Sequence, residues 1–388
     1  MKVTVAIDSF KGSLSSIEAG QAIKSGILRV IDDAQVDILP MADGGEGTAE
    51  ALVTAKKGEY ISLAVSDPLG RPITAKYGYI DREKTAIIEM AEASGLTLID
   101  EGERDPMKAT TFGTGELIKD AVARGVRRFI VCIGGSATND GGVGMLEALG
   151  FEFLDKNGSS IPRGAKGLAS LSRIRTENVI KELRECSFTV ACDVKNPLCG
   201  AEGCSAVFAP QKGADPFEIA LMDKFLEDYA KLTSKIIPDA DPNYPGAGAA
   251  GGMGFALMSY LGASLVSGAE LVMDEICLEE KIADSEVVIT GEGRLDGQSR
   301  MGKVPVAVAL KAKKYGKVVI AFSGAVTDEA EILNEYGIDA FFPILRSVCS
   351  IEEAMKKENA SRNLEKTVAQ AFKLIKVIKG ERQCLRRC

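Results

Sequence analysis

Val3-Thr4-Val5-Ala6-Ile7-Asp8-Ser9-Phe10-Lys11-Gly12-Ser13 opens the chain. An apolar, β-branched run passes directly into a polar turn, which predicts a buried strand ending in a loop. Ser15 and Ser16 then offer a helix cap, and Ile17, Ala19, Ala22, Ile23, Gly26, Ile27 and Val30 recur at helical spacing. Val36–Leu39 predicts a second strand, stopped by Pro40. Met41-Ala42-Asp43-Gly44-Gly45-Glu46-Gly47-Thr48 follows and leads into a helix over about 48–57. Strands separated by helices imply right-handed crossovers and a parallel sheet. The C-terminal portion returns to this pattern. Strands are predicted at Val287–Thr290, at Val318–Phe322 and from Phe341. Helices are predicted from Pro305 to Tyr315, over 328–336 and under the stripe Leu364, Val368, Phe372, Ile375, Ile378.

The middle reads differently. Tyr60–Val65, Ile73–Ile80 and Thr85–Met90 are strand-like runs joined by tight turns, which favours antiparallel hairpins. Helices follow over about 113–124, 142–149, 216–232 and 251–261, with strands at Phe129–Ile133 and Phe188–Asp193. The simplest reading is an α/β protein: one discontinuous parallel-sheet domain, residues 1–70 plus 286–388, with an inserted second α/β domain over 71–285.

Composition narrows the chemistry. The 388 residues include no histidine and no tryptophan, and 47 Lys+Arg stand against 55 Asp+Glu, a net charge of −8. No Ser-His-Asp or Cys-His pair, no His-ligated metal and no imidazole base can exist. An acidic chain is a poor general binder of nucleic acid. Nine scattered cysteines without a CxxC read as free thiols, no signal peptide opens the chain, and no apolar run is long enough to span a membrane. A cytoplasmic protein with no nucleic-acid or membrane partner is expected, and a homo-oligomer is left open. Residues 356–388 are basic, which reads as the solvated face of a last helix.

Six loops follow strand-like runs or precede helices and mix Gly with Asp, Asn, Ser or Lys. They are Asp8–Ser13, Ala42–Thr48, Gly134-Gly135-Ser136-Ala137-Thr138-Asn139-Asp140-Gly141-Gly142, Asp193–Leu198, Gly246–Gly254 and Thr290-Gly291-Glu292-Gly293-Arg294-Leu295-Asp296. One such loop is an ordinary turn. Six supply several carboxylates, a few cations and exposed backbone N–H groups, an inventory suited to Mg²⁺ plus phosphate. Two nucleotide motifs nearly appear. Gly297–Val304 matches GxxxxGK[ST] except that Val304 lacks the hydroxyl, and Gly246–Gly251 matches GxGxxG without a preceding strand. A non-catalytic nucleotide module would need fewer such clusters, and a redox enzyme would need an intact fingerprint.

In order, these loops resemble those of the type-1 glycerate kinases. The resemblance runs through Asp8–Ser13, Pro40–Thr48, Gly134–Gly142, Asp193–Leu198 and Thr290–Gln298 with Gly302-Lys303, and covers the chain to about residue 378. It implies a Rossmann-like domain built from both chain ends, an inserted α/β domain and an active site in the cleft between them. It also implies Mg²⁺-dependent transfer of the γ-phosphoryl group of ATP to D-glycerate. The product would be 2-phosphoglycerate, with 3-phosphoglycerate, or another small hydroxy or sugar acid as acceptor, as alternatives. Asp193 is the expected proton acceptor or Mg²⁺ ligand, with Asp8, Asp43 and Asp296 as rivals, Asp296 also for the metal. Lys11, Arg294 and Lys303 are expected on phosphate or the glycerate carboxylate. Ser9, Glu46, Ser136, Thr138, Asn139, Asp140, Asn196, Glu292 and Arg71 complete the expected binding set.

Overall fold

The computed structural model describes residues 1–45 and 47–380. Glu46 and the tail from 381, with Cys384 and Cys388, lie outside the described residues. In chain order the strands are β1 (Lys2–Ile7), β2 (Gln35–Pro40), β3 (Glu59–Ser66), β4 (Pro72–Ile80), β5 (Thr85–Glu89), β6 (Arg128–Cys132), β7 (Glu152–Leu154), β8 (Arg173–Arg175), β9 (Ser187–Ala191), β10 (Ser264–Val266), β11 (Val287–Leu295), β12 (Val318–Val326) and β13 (Ala340–Pro343). The fold is α/β, and it divides into two units: residues 1–43 with 269–388, and residues 44–268.

The first unit holds a parallel five-stranded sheet of order β13-β12-β11-β1-β2. Val3, Val5, Ile7, Ile289 and Phe322 form its core with Ile23 and Ile27 of helix Ser16–Leu28 and Leu364, Val368 and Phe372 of helix Lys357–Ile378. Each such buried side chain contributes roughly 1.5–3 kcal/mol. Helix Ser16–Leu28 starts at a reciprocal cap: Ser15 Oγ accepts the Glu18 N–H (3.3 Å) and Glu18 Oε2 accepts the Ser15 N–H (3.1 Å).

The second unit is built on a six-stranded sheet of order β10-β9-β6-β5-β4-β3. β5, β6, β9 and β10 run parallel, whereas β3, β4 and β5 form the antiparallel hairpins expected from their short turns. Ile88, Val131 and Val190 sit in its core, and Phe129 stacks on Phe188 with ring centroids 4.7 Å apart. Helix Pro216–Ile236 is capped by Asp215 with Glu218.

The unit boundaries fall at 43/44 and 268/269 instead of 70/71 and 285/286. β3 pairs along its whole length with β4, and Val53 of helix Thr48–Lys56 packs where Gly78 of β4 leaves room. Residues 48–66 therefore belong to the second unit, although their βα pattern continues that of the first. The segment expected as a helix over 328–336 forms 3₁₀ turns, Asp328–Tyr336. β11 runs five residues beyond Thr290, because its polar end pairs in register with β12 as far as Leu295–Val326.

Candidate active site

In a parallel sheet the loops at the carboxyl ends of the strands share one edge. In the first unit this edge collects the loops after β1 and β2 and the end of β11. Asp8 follows β1 directly, its N–H donating to the Gly291 carbonyl (3.0 Å). Gly291 is required there, since a Cβ would lie 1.9 Å from the Phe322 carbonyl oxygen. Lys11 Nζ donates to Asp43 Oδ2 (2.8 Å). Glu292 is buried on β11, accepts the Ser299 hydroxyl and lies 3.6 Å from Lys303 Nζ. Lys303 precedes helix Val304–Lys314 as its N-cap residue. Asp8, Lys11, Asp43, Glu292, Arg294 and Lys303, together with Ser9, line one cavity of about 480 Å³.

The electrostatics are specific. Burial, reinforced by the Asp43 charge, pushes Asp8 up to about 7. Burial also raises Glu292, against the lowering effect of the Ser299 hydroxyl and Lys303. Burial acts to lower Lys11, but its hydrogen bond to Asp43 and the surrounding carboxylates outweigh this and raise it. The cluster thus holds crowded carboxylates beside the cations Lys11, Arg294 and Lys303, a combination that accommodates a metal–phosphate group. Asp296 is not part of this lining. Its Oδ1 accepts the Gln298 N–H (2.9 Å) and its Oδ2 lies 3.4 Å from Arg294 Nε, so it serves its own turn.

The second unit carries the other expected residues. The Gly134–Gly142 loop follows β6, and Gly134 and Gly135 are exposed while Ser136–Asp140 are buried. Asp140 is spent internally: it accepts the N–H groups of Thr111 (2.8 Å), Gly142 (3.1 Å) and Gly144 (3.3 Å) and the Thr111 hydroxyl (2.9 Å). Burial raises its pKa, and these donors oppose the shift. Asn139 Nδ2 donates to Ser205 Oγ (2.9 Å), whereas its Oδ1 and Thr138 Oγ1 are buried without a hydrogen-bond partner. Lys212 is 2% exposed; its Nζ donates to Ser136 Oγ (2.8 Å) and the Thr138 carbonyl (2.6 Å). Burial drives Lys212 down to about 8. Asp140 therefore braces the loop through its hydrogen bonds to Thr111, Gly142 and Gly144. The GxGxxG run packs against the same loop: a Cβ on Gly251 would lie 2.1 Å from the Thr138 carbonyl oxygen.

Asp193, just past β9, is exposed; its Oδ1 accepts the Gly268 N–H (3.1 Å), and a Cβ on Gly44 would lie 3.2 Å from its Oδ2. Asn196 Nδ2 donates to the Glu202 carbonyl (2.7 Å). Arg71 sits on a turn with its guanidinium paired to Asp67 (2.6 Å) and Glu103 (3.0 Å). Lys212 and Ser205 were not legible as site residues, because Pro210-Gln211-Lys212-Gly213 reads as an ordinary surface turn. Among the described residues no group of three or more Cys, Asp or Glu side chains is placed to hold a metal ion by itself. None of the described helices is long and apolar enough to cross a membrane.

The model of the glycerate kinase family matches residues 3–376. The chain belongs to the glycerate kinase family. A protein named glycerate 2-kinase from Escherichia coli K12 is 47% identical over 374 residues, 95% of this chain and 98% of that one. A glycerate kinase from Bacillus subtilis 168 is 43% identical, covering 97% and 99%. A crystal structure assigned as glycerate kinase 2 from Salmonella typhimurium LT2 superposes with a TM-score of 0.90 at 45% identity, covering 98% of this chain and 99% of that one. Family membership makes the chain a kinase enzyme, a phosphotransferase with an alcohol acceptor.

Proposed function

We propose that this family member transfers the γ-phosphoryl group of ATP to the 2-hydroxyl of D-glycerate, with Mg²⁺, giving 2-phosphoglycerate. The observation that carries the proposal is the single cavity at the edge of the parallel sheet, where Lys11, Arg294 and Lys303 meet Asp8, Asp43 and Glu292. The name of the Escherichia coli relative supports the 2-position.

The donor set fits Mg²⁺ when the nucleotide completes it. Asp8 is raised in part by the charge of Asp43, so a divalent cation would relieve a repulsion already present. Mg²⁺ commonly takes one or two carboxylates and fills its remaining positions with phosphate oxygens and water. Asp8 and Asp43 would hold it, in place of Asp296, whose oxygens serve its own turn. Bound there, the ion would neutralise charge on the phosphoryl group being transferred.

The chain's own groups do the rest. Lys11, Arg294 and Lys303 hold phosphoryl oxygens and orient the triphosphate. Asp193 accepts the proton of the glycerate hydroxyl as that oxygen bonds to the γ-phosphorus. The bond to the β,γ-bridging oxygen breaks, and ADP leaves. A carboxylate suffices as base because phosphoryl transfer asks mainly for positioning and charge stabilisation.

Incubation with Mg·ATP and a panel of small hydroxy acids, followed by ³¹P NMR of the products, tests this. A 2-phosphoglycerate signal from D-glycerate is expected. A 3-phosphoglycerate signal would overturn the regiochemistry, and no turnover on any member would overturn the kinase proposal.

A further inference from the structure

The cavity that holds the charged cluster has a second wall without charge. Phe10, Ile344, Leu345, Ile351, Ala354 and Met355 line it. Three of these are out of place for a surface facing only water: Leu345 is 45% exposed, Ile351 74% and Met355 41%. Single exposed apolar residues need no explanation, but a group of them on the wall of one concave, half-charged cavity marks a ligand site. A volume of about 480 Å³ lies within the range of small-molecule sites.

We propose that this apolar wall seats the nucleoside of the phosphoryl donor. The assignment rests on the kinase proposal above and deepens it. A nucleoside triphosphate is itself divided, with an anionic chain at one end and a flat, largely apolar base at the other. The cavity is divided in the same way. Lys11, Arg294 and Lys303 complement the phosphates, and Leu345, Ile351 and Met355 supply apolar area for a base. Glycerate has no apolar part to bury, so this wall has no use for the acceptor. Apart from Phe10, the wall comes from a segment, residues 344–360, that carries no recognisable nucleotide motif, and it lies on the same unit as the near-Walker turn at Gly297–Val304.

The test uses the full-length protein with Leu345→Ser, Ile351→Ser and the double variant. Both positions are exposed, so neither substitution removes core packing, and unchanged thermal melting verifies this. Titration calorimetry measures binding of ADP and of inorganic tripolyphosphate. The double variant is expected to weaken ADP binding by at least about tenfold while tripolyphosphate binding changes by less than about twofold. The KM for glycerate is expected to stay within about twofold. Equal weakening of both ligands, or unchanged ADP binding, would overturn the assignment. The two proposals fail separately. A protein that phosphorylates glycerate but whose ADP affinity ignores these variants keeps the kinase proposal and loses the nucleoside site. A protein that phosphorylates no hydroxy acid, yet loses ADP and not tripolyphosphate in the double variant, keeps the nucleoside site and loses the acceptor.

Discussion

Lys212→Met is expected to flatten the pH dependence of stability, and the size of the effect follows from burial. The Lys212 ammonium is 2% exposed, and its two acceptors, Ser136 Oγ and the Thr138 carbonyl, are neutral. Burial brings it from the ordinary 10.5 down to about 8. Between these values the unfolded chain holds a proton that the folded chain has released. Stability therefore rises with pH across this window and is lost as pH falls toward 8. At 1.36 kcal/mol per unit, the group makes the wild type about 2–3 kcal/mol more stable at pH 10 than at pH 7. For a unit of roughly 200 residues this is about 5–10 °C in Tm. Cys204, raised to about 11 mainly by burial, acts with the opposite sign, because its thiol ionises earlier in the unfolded chain. Other lysines and tyrosines add further slopes. These contributions are shared by the variant, so the quantity to measure is the difference between wild type and Lys212→Met in calorimetric scans at pH 7, 8, 9 and 10. The two curves should approach or cross as pH falls, because methionine removes the charge penalty while leaving the two acceptors without a donor, at about 1–3 kcal/mol each. Parallel curves would refute the claim that a desolvated ammonium braces the Gly134–Gly142 loop.

Four further outcomes are expected. Asp8→Asn should stabilise the ligand-free protein above pH 7 by up to about 4 kcal/mol and give no gain near pH 4. The folded carboxyl keeps its proton to about 7, so its penalty grows as pH rises from the ordinary 3.8. The same variant should lose at least about 100-fold in kcat, and melting curves with steady-state assays measure both effects. Asp140→Ala should cost roughly 3–5 kcal/mol in denaturant unfolding, because it strands the buried N–H groups of Thr111, Gly142 and Gly144. Asp193→Asn should lower kcat at least about 100-fold with little change in the KM for ATP; an unchanged kcat removes Asp193 as base. Arg71→Ala, which breaks its pairs with the buried Asp67 and the exposed Glu103, should leave kcat and both KM values within about twofold, and a larger loss would restore Arg71 to the site.

The repeated βα pattern at both chain ends was readable because each piece of it is local. Val3–Ile7 is a continuous apolar run, Ser15 stands at a cap, and the stripe through Leu364, Val368 and Phe372 follows the helical period. The unit boundary was not, because it depends on which sheet β3 joins, and pairing with β4 is decided by partners outside its own window. The extension of β11 was missed for the same reason. Gly291-Glu292-Gly293-Arg294 reads as a loop by composition, yet Glu292 pairs with Ser323 and Arg294 with Ala325 on β12. The charged residues of the first unit were legible because Gly-bearing loops at strand ends announce themselves. Lys212 was not, since nothing in Pro210-Gln211-Lys212-Gly213 reports that this lysine is folded inward. The burial of Asp140 was not legible either: a buried aspartate in a Gly-rich loop and a phosphate-facing one have the same sequence.

The two clusters share an electrostatic habit. Ion pairing shifts Glu83, through the Lys56 hydrogen bond, and Glu18, through the Lys357 pair, toward their charged forms. Asp8 and Glu292 in one unit and Lys212 in the other are shifted the opposite way, toward neutrality, because burial outweighs the partners they have. Folding alone does not favour such arrangements; each costs stability at neutral pH. Asp8 directly follows β1, Glu292 lies toward the carboxyl end of β11, and Lys212 reaches the loop after β6 from a 3₁₀ turn, an arrangement that suits a site tuned for transient charged ligands. It also accounts for the missing histidine. In the sheet-edge cavity the Asp8 carboxyl is raised to about 7 by burial and by the charge of Asp43, so crowded acids reach the pH range that imidazole occupies in other enzymes.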